Sequence, residues 1–437
     1  MTAVRRVDVL VVGAGPAGLA TAARLATAGA GRVEVLDREQ QAGGVPRHCA
    51  HGGYGTWLHP LTGPGYARLL LDAADRAGVS VRTGVTALDW AGPLSLHTVG
   101  PHGPETIEAR AVVLATGARE RPRAARLMPG TRPAGVYTTG ELQQAVHLYR
   151  QHIGTRAVVV GAEDVSYAAA ATLRAAGVVV AAMVTDLPRA QTAPARAADA
   201  RLRHRLPLLT GTSVTELFGR GRLSGVRVRH RDGRTATLAC DTVVFTGDFV
   251  PDHELARRGG LLLDSGTRGP AVDGGLRTSR PGVFAAGSVL HAVESAATAA
   301  REGAYAGSTV RDWLATGGWP DGIPLLVDPP LRWIAPNRVV PNRVAPTRVA
   351  PTRVVPTRVV PTRVVPADGM PGGWGPYVLR TSIVVARPVL HVSQDDRLLH
   401  TERPRTRTAV PHRTLTLTAH WTGRVDPKGG PVRVSLA

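Results

Sequence analysis

Six residues, Gly13-Ala14-Gly15-Pro16-Ala17-Gly18, and Asp37, twenty-four positions after Gly13, carry the clearest chemistry in this chain. The apolar run Val7–Val12 precedes them. A helix-like stretch, Leu19–Ala28, and a second apolar strand, Val33–Leu36, lie between the glycines and the acid. Strand, GxGxxG turn, helix, strand and acid in this order make a dinucleotide-binding unit. Each part has a physical task. Gly13 permits the tight turn, Gly15 lets backbone approach a pyrophosphate, and Gly18 allows close helix–strand packing. The helix start offers free N–H groups and a positive dipole end to phosphate. Asp37 can accept hydrogen bonds from a ribose diol.

From Arg156 the plan repeats. Strand Ala157–Val160 leads to Gly161, then to a helix over Val165–Ala176, Gly177 and strand Val178–Val184. Asp186 follows, twenty-five residues after Gly161. Two halves with one plan imply two related Rossmann-like units. The second turn is altered: it reads Gly161-Ala162-Glu163-Asp164-Val165-Ser166. Glu163 replaces the middle glycine, and its side chain enters pyrophosphate space. Its carboxylate repels phosphate, and Ser166 replaces the packing glycine. These changes argue against NAD(P)H here, although Asp186 suits a nucleotide ribose.

The elements around these turns read as follows. Strands are expected over Val79–Leu88, Thr106–Ala109, Leu223–Arg229 and Thr235–Leu238, and a helix over Tyr66–Ala77. Two apolar strands end in small turns, at Ala115-Thr116-Gly117 and at Thr246-Gly247. A third, Gly282-Val283-Phe284-Ala285-Ala286, ends at Gly287-Ser288 and precedes a helix over Glu294–Thr309. Residues 336–365 are six pentapeptides, Pro-[Asn/Thr]-Arg-Val-[Val/Ala]. Proline every fifth residue blocks helix and central strand, so an extended linker is expected over 316–376. Residues 377–437 read as a small β-rich domain. Its strands are Val378–Ala386, Val389–Gln394, Thr414–Ala419 and Val432–Leu436, with Asp395-Asp396 as a hairpin turn.

The chain has 437 residues, 43% of them hydrophobic, and a net charge of +20. That is enough for two or three domains with true cores. The charge is uneven: residues 331–437 hold sixteen arginines and one lysine against five acids. Lys428 is the sole lysine, so the basicity reads as compositional bias. Aromatic residues are 4%, too few for base-stacking platforms, which argues against nucleic acid. Cys49 and Cys240 form no metal or cluster motif, so no metal site is expected. The short start, Met1–Arg6, leaves no room for a signal peptide, and no transmembrane segment stands out. The chain reads as cytoplasmic. Catalytic groups are not evident from spacing. Arg47, His48 and His51 cluster after Gly43-Gly44, either to anchor an anionic substrate or as an exposed polar loop. His291 reads as a cofactor or substrate contact or as a helix-start residue.

The first glycine turn with Asp37, the Ala115-Thr116-Gly117 strand end, the second unit and Gly-Val-Phe-Ala-Ala-Gly at 282–287 together resemble the FAD-dependent pyridine nucleotide-disulfide oxidoreductase family. The resemblance covers about residues 5–310. Gly-Ala-Arg-Glu-Arg-Pro at 117–122 and Gly-Val-Tyr-Thr-Thr-Gly-Glu-Leu-Gln at 135–143 are similar to one branch of it. That branch holds the flavoprotein subunits of opine oxidase, hydrogen cyanide synthase and related amino-acid dehydrogenase complexes. The resemblance implies an α/β fold in which an FAD domain is split by an NAD-type domain. The divisions are 1–120 and 251–315 for the FAD domain and 121–250 for the NAD-type domain. It also implies that Gly13, Ala14, Gly15, Pro16, Ala17 and Gly18 line the FAD pyrophosphate and that Asp37, with Arg38 beside it, holds the ribose. Gly44 and Val45 would lie along the cofactor, Val85 would present backbone to adenine, and Ala115-Thr116-Gly117 would pack beneath. Gly287 and Ser288 would sit near the ribityl chain, with serine where the family has aspartate. The family's redox disulfide is missing, since Cys49 stands alone in its loop and one thiol cannot shuttle two electrons.

The expected function is therefore that of an FAD-dependent oxidoreductase. It would be one subunit in a small-molecule dehydrogenase complex, of the amino-acid or opine type. Electrons would pass to or from a separate flavoprotein or iron–sulfur subunit. The alternatives are a stand-alone NAD(P)H-dependent flavin oxidoreductase and a flavin-fold scaffold without turnover.

Overall fold

The structure is a computed structural model and describes residues 3–56, 58–292, 294–341 and 377–437. Strand Val9–Val12 is buried at every residue, as an unbroken apolar strand inside a parallel sheet must be. It is central in a five-stranded parallel sheet. The order is Val283–Ala285, Ala111–Leu114, Val9–Val12, Val33–Asp37, Ser80–Thr83. Helix α1, Pro16–Thr27, begins with proline at its first turn, where a missing N–H costs nothing. It buries Leu19, Ala22 and Leu25 in the core. Helix α2, Gly63–Arg76, packs beside it.

The strand expected over Val79–Leu88 is two strands. The chain turns at Gly84, where φ is +66°. Ser80–Thr83 stays in the parallel sheet, whereas Thr86–Gly92 starts an antiparallel layer with Ser95–Gly100 and Gly103–Glu108. The carbonyls of Glu39 and Asp37 accept from the Gly84 and Val85 N–H groups and hold this turn. Ser95–Gly100 fully buries only Leu96 and Thr98, an alternation too short to read from sequence.

The chain leaves the first unit through Ala118–Glu120 and returns through Phe249–Pro251, which pair antiparallel. The second unit opens with helix α3, Thr139–His147, which periodicity does not announce. Its signal is the capping box Thr138-x-x-Glu141, formed in full. The sheet is again parallel, ordered Val136–Thr138, Thr242–Phe245, Arg156–Val160, Val179–Val184, Leu208–Leu209. Helix α4, Asp164–Ala175, follows the second glycine turn, and α5, Pro194–Leu202, covers a later crossover. An antiparallel meander, Thr212–Arg220, Arg222–His230 and Thr235–Ala239, completes the unit. After α6, Glu254–Arg258, the chain rejoins the first sheet and ends that unit with α7, Ala296–Thr316. Helices α1 and α7 meet so closely that a Cβ on Gly303 would lie 2.0 Å from the Ala17 carbonyl oxygen. The Thr21 hydroxyl donates to the Gly303 carbonyl at 2.8 Å.

The linker expected over 316–376 is shorter than composition implies. Ile323–Val327 pairs with Val432–Leu436, Leu331–Ala335 with Tyr377–Thr381, and Arg338–Val339 with Ile323–Val327. Residues 323–339 therefore belong to the C-terminal β unit, including most of the first pentapeptide. Asn337 is the reason: its side chain is buried, donates to the Ile334 carbonyl at 2.6 Å and accepts from the Val272 N–H at 3.3 Å. Repeats 342–365 lie outside the described residues. The β unit closes around Trp421, Leu379, Leu390 and Val392. Asp395 and Asp396 make its hairpin turn, both at positive φ, and the turn leads into strand Arg397–Glu402. Among the described residues no helix is long and apolar enough to cross a membrane.

Candidate functional site

The first glycine turn is held from both sides. Gly13 has φ +109°, and a Cβ on it would fall 2.3 Å from the Ala115 carbonyl oxygen. A Cβ on Gly18 would fall 1.8 Å from the Gly13 carbonyl oxygen. Gly15 differs. A Cβ there would sit in ordinary van der Waals contact with the Gly44 Cα, at 4.0 Å, without a clash. Gly15 is the N-cap of α1 and offers no side-chain cap, leaving first-turn N–H groups for an anion. Gly44 packs directly against Gly15, since a Cβ on it would come within 2.8 Å of the Gly15 Cα. Val45, exposed, begins a tight helical turn, Val45–His48.

Asp37 sits half-buried at its strand end. Its carboxylate accepts from the Ala14 N–H at 2.7 Å and the Glu39 N–H at 2.9 Å, which ties the acid to the glycine turn. Arg38 reaches Asp252 at 3.4 Å. Val85 is buried and spends its N–H on Asp37. The Ala115 N–H donates to Val12, the Thr116 hydroxyl to the Asp252 carbonyl at 2.6 Å, and Gly117 faces open space. Gly287 has φ +80°, and a Cβ there would meet the Ala17 Cβ at 2.6 Å. Ser288 is half-buried beside it. These residues gather at the C-terminal ends of four parallel strands of the first sheet.

Arg47, His48 and His51 do not form one anion site. Arg47 donates to Gln41. His48 is buried, and burial, with Arg47 and His147 adding positive charge, lowers its pKa to about 4 and keeps it neutral. His51 shares no partner with them; its Nδ1 lies 2.8 Å from the Gly52 carbonyl, and its ring lies against Tyr54. Cys49 is buried and donates to Gln143 Oε1 at 3.2 Å. Burial pushes its thiol pKa up, which disfavours the nucleophilic thiolate. Cys240, also free and buried, is pushed up to about 11 by burial and by Asp241.

His291 is not a helix-start residue: Ser295 caps α7. It is buried, with Nε2 2.8 Å from Glu302 Oε1 and its ring stacked on Trp333 of the β unit at 5.7 Å. The other Glu302 oxygen accepts from the Gly287 N–H at 2.9 Å. Nearby, Glu294 accepts from Arg380 Nη2 at 3.0 Å and from the Thr414 hydroxyl, both on the β unit. Sequence reasoning misses Glu294, Glu302, Trp333 and Arg380, because their partners lie up to 120 positions away and no local spacing marks them.

In the second unit the glycine turn is occupied from within. Glu163 is 5% exposed, and its carboxylate accepts from the Ala162 N–H at 2.9 Å. Ser166 and Thr246 hydroxyls pair at 2.7 Å across the turn. Asp186 is exposed. The two units thus share a plan and differ at the atom positions where phosphate would bind.

Residues 7–303 match the family described as pyridine nucleotide-disulphide oxidoreductase. The chain belongs to that family. The match spans both glycine turns and stops before the β unit. The alpha subunit of sarcosine oxidase from Corynebacterium sp. (strain P-1) is 32% identical over 285 residues, 59% of this chain and 28% of that subunit. An opine oxidase subunit from Rhizobium meliloti is 30% identical over 317 residues, 64% of this chain and 58% of that subunit. The chain therefore spans well under two thirds of these relatives. The crystal structure of T. acidophilum thioredoxin reductase superposes with a TM-score of 0.60 at 24% identity, covering 70% of this chain and 98% of the other. That likeness is one of fold. The β unit lies outside the matched residues and is fastened to the first unit through His291 with Trp333 and Glu294 with Arg380.

Proposed function

We propose that this chain is the FAD-binding subunit of a dehydrogenase that oxidises a small amino-acid or opine-type molecule and exchanges electrons with a separate subunit. The observation that carries this reading is the contrast between the turns: an uncapped helix start at Gly15, and a turn filled by the Glu163 carboxylate. The first turn suits a dinucleotide: uncapped N–H groups at the start of α1 would take the pyrophosphate, and Asp37, tied to the turn, would hold the ribose. Ser288 would hydrogen-bond a ribityl hydroxyl without adding charge. When bound, FAD supplies the two-electron chemistry, and the protein supplies position and electrostatics. The similarity to sarcosine and opine oxidase subunits supports membership of a multi-component enzyme. Two buried, separate thiols support a route that uses no redox disulfide in this chain.

The test is anaerobic stopped-flow mixing of the yellow, FAD-loaded protein with NADH and NADPH, followed by co-purification from its native source. Slow or no bleaching by either nucleotide, and a co-purifying redox subunit, support the reading. Rapid bleaching by either would make the chain a self-contained NAD(P)H-dependent flavin oxidoreductase. Failure to take up FAD would make it a scaffold.

A further inference from the structure

The second glycine turn is not merely damaged. Its phosphate position is taken by an anion of the chain itself. Glu163 stands at the position of the middle glycine and is the N-cap of α4. One carboxylate oxygen accepts the Ala162 N–H at 2.9 Å. The other lies in the cleft between Gly161 and Gly247, where a Cβ on those glycines would fall 2.8 Å and 2.3 Å from it. That second oxygen is buried and takes no hydrogen bond from the described residues. The Ser166 hydroxyl accepts the Glu163 N–H at 3.2 Å and is paired with Thr246, which fastens the turn around the carboxylate. A carboxylate at a helix start meets the same positive field that a nucleotide phosphate uses.

The neighbouring helix is capped in a related way: Glu120, from the joint between units, accepts the Gly140 N–H of α3 at 2.7 Å. Two helix starts at this end of the second sheet are thus each met by a carboxylate, Glu163 buried and Glu120 half-buried.

We propose that Glu163 is an internal phosphate surrogate and the specificity-determining residue that bars nicotinamide nucleotides from the second unit. The proposal rests on the reading that such nucleotides are not the electron source, so its test reads binding and not turnover. Nucleotide fluorescence titration is run on the FAD-loaded full chain, on Glu163→Gln, on Glu163→Gly and on Glu163→Gly/Ser166→Gly. Wild type and Glu163→Gln, which keeps the volume, should bind NADH and NADPH no tighter than about 1 mM. Glu163→Gly should gain roughly tenfold in affinity for one of them, and the double variant more. Melting with inorganic pyrophosphate gives a second readout. Pyrophosphate should raise the melting temperature of both glycine variants and leave wild type unmoved, since only they have an empty anion position. Wild-type binding below about 100 μM would overturn the proposal. So would a double variant that is folded by circular dichroism yet gains neither nucleotide binding nor a pyrophosphate shift. A double variant that gains binding while no redox partner is found would uphold this proposal and sink only the multi-subunit reading.

Discussion

The carboxylate of Glu302 lies 2.8 Å from His291 Nε2, and both side chains are only 1% exposed. Through its other oxygen Glu302 also accepts the Gly287 N–H, so one buried acid links α7 to the Gly287 turn and to the ring that stacks on the β unit. Removing one member of a buried pair leaves the other uncompensated. His291→Ala should cost about 3 kcal/mol in denaturant unfolding, while an exposed control such as Arg257→Ala should cost little. An unchanged midpoint would refute the pairing.

The same pair sets a pH dependence. Burial acts to lower the His291 pKa, but the charge and hydrogen bond of Glu302 outweigh it, and the pKa lies above the ordinary 6.5. A raised folded-state pKa means stabilisation that is complete below 6.5 and is lost as pH rises through the raised value. Melting temperature should fall through that alkaline window in wild type, and the fall should shrink in His291→Gln.

His48 acts in the opposite window. Its folded-state pKa is lowered to about 4 from 6.5 by burial, then by Arg47 and His147. The unfolded chain binds the proton first, so stability is complete above 6.5 and lost as pH drops toward 4. The full effect is about 3 kcal/mol, from the shift in pKa. His48→Leu should flatten the acid limb of the stability profile, whereas a profile identical to wild type would count against a buried neutral imidazole.

Gly15 and Gly18 should separate folding from cofactor uptake. Gly15 has φ −80° and a Cβ on it meets only an ordinary contact with Gly44, so Gly15→Ala should leave the melting temperature of the cofactor-free protein nearly unchanged yet abolish the flavin absorbance. Gly18→Ala drives a methyl into the Gly13 carbonyl and should lose both. Full flavin content in Gly15→Ala would show that the dinucleotide lies elsewhere.

Arg380 and Glu294 fasten the β unit beside α7. Arg380→Met should lower stability by about 2 kcal/mol, since it leaves the largely buried Glu294 carboxylate with one donor fewer. It should also speed proteolysis at the joint between α7 and the β unit. Equal cleavage rates would show that this ion pair does not secure the unit.

Much of the first unit was legible because its signals are local. Gly13, Gly15, Gly18 and Asp37 need only fixed spacing along one strand–turn–helix–strand. Fully apolar strands such as Val9–Val12 and Ala111–Leu114 announce a parallel sheet covered on both faces. The Asp395-Asp396 turn is equally local. The linker was misjudged for the opposite reason: Pro336 and Asn337 look like repeat sequence, yet Asn337 is held by Ile334 and by Val272, sixty-five positions away.

By itself the sequence determined the family, the two-unit α/β plan and the broken pattern at Glu163, since each depends on the order and spacing of neighbouring residues. Tertiary structure alone decided where the Glu163 carboxylate points. The clefts of Gly161 and Gly247 come together only when strands eighty-odd positions apart pair in parallel. It alone also decided that Arg47, His48 and His51 part company and that His291, Glu302, Glu294 and Arg380 join two units. Burial and charge pairing are sums over distant neighbours, and no stretch of chain contains them.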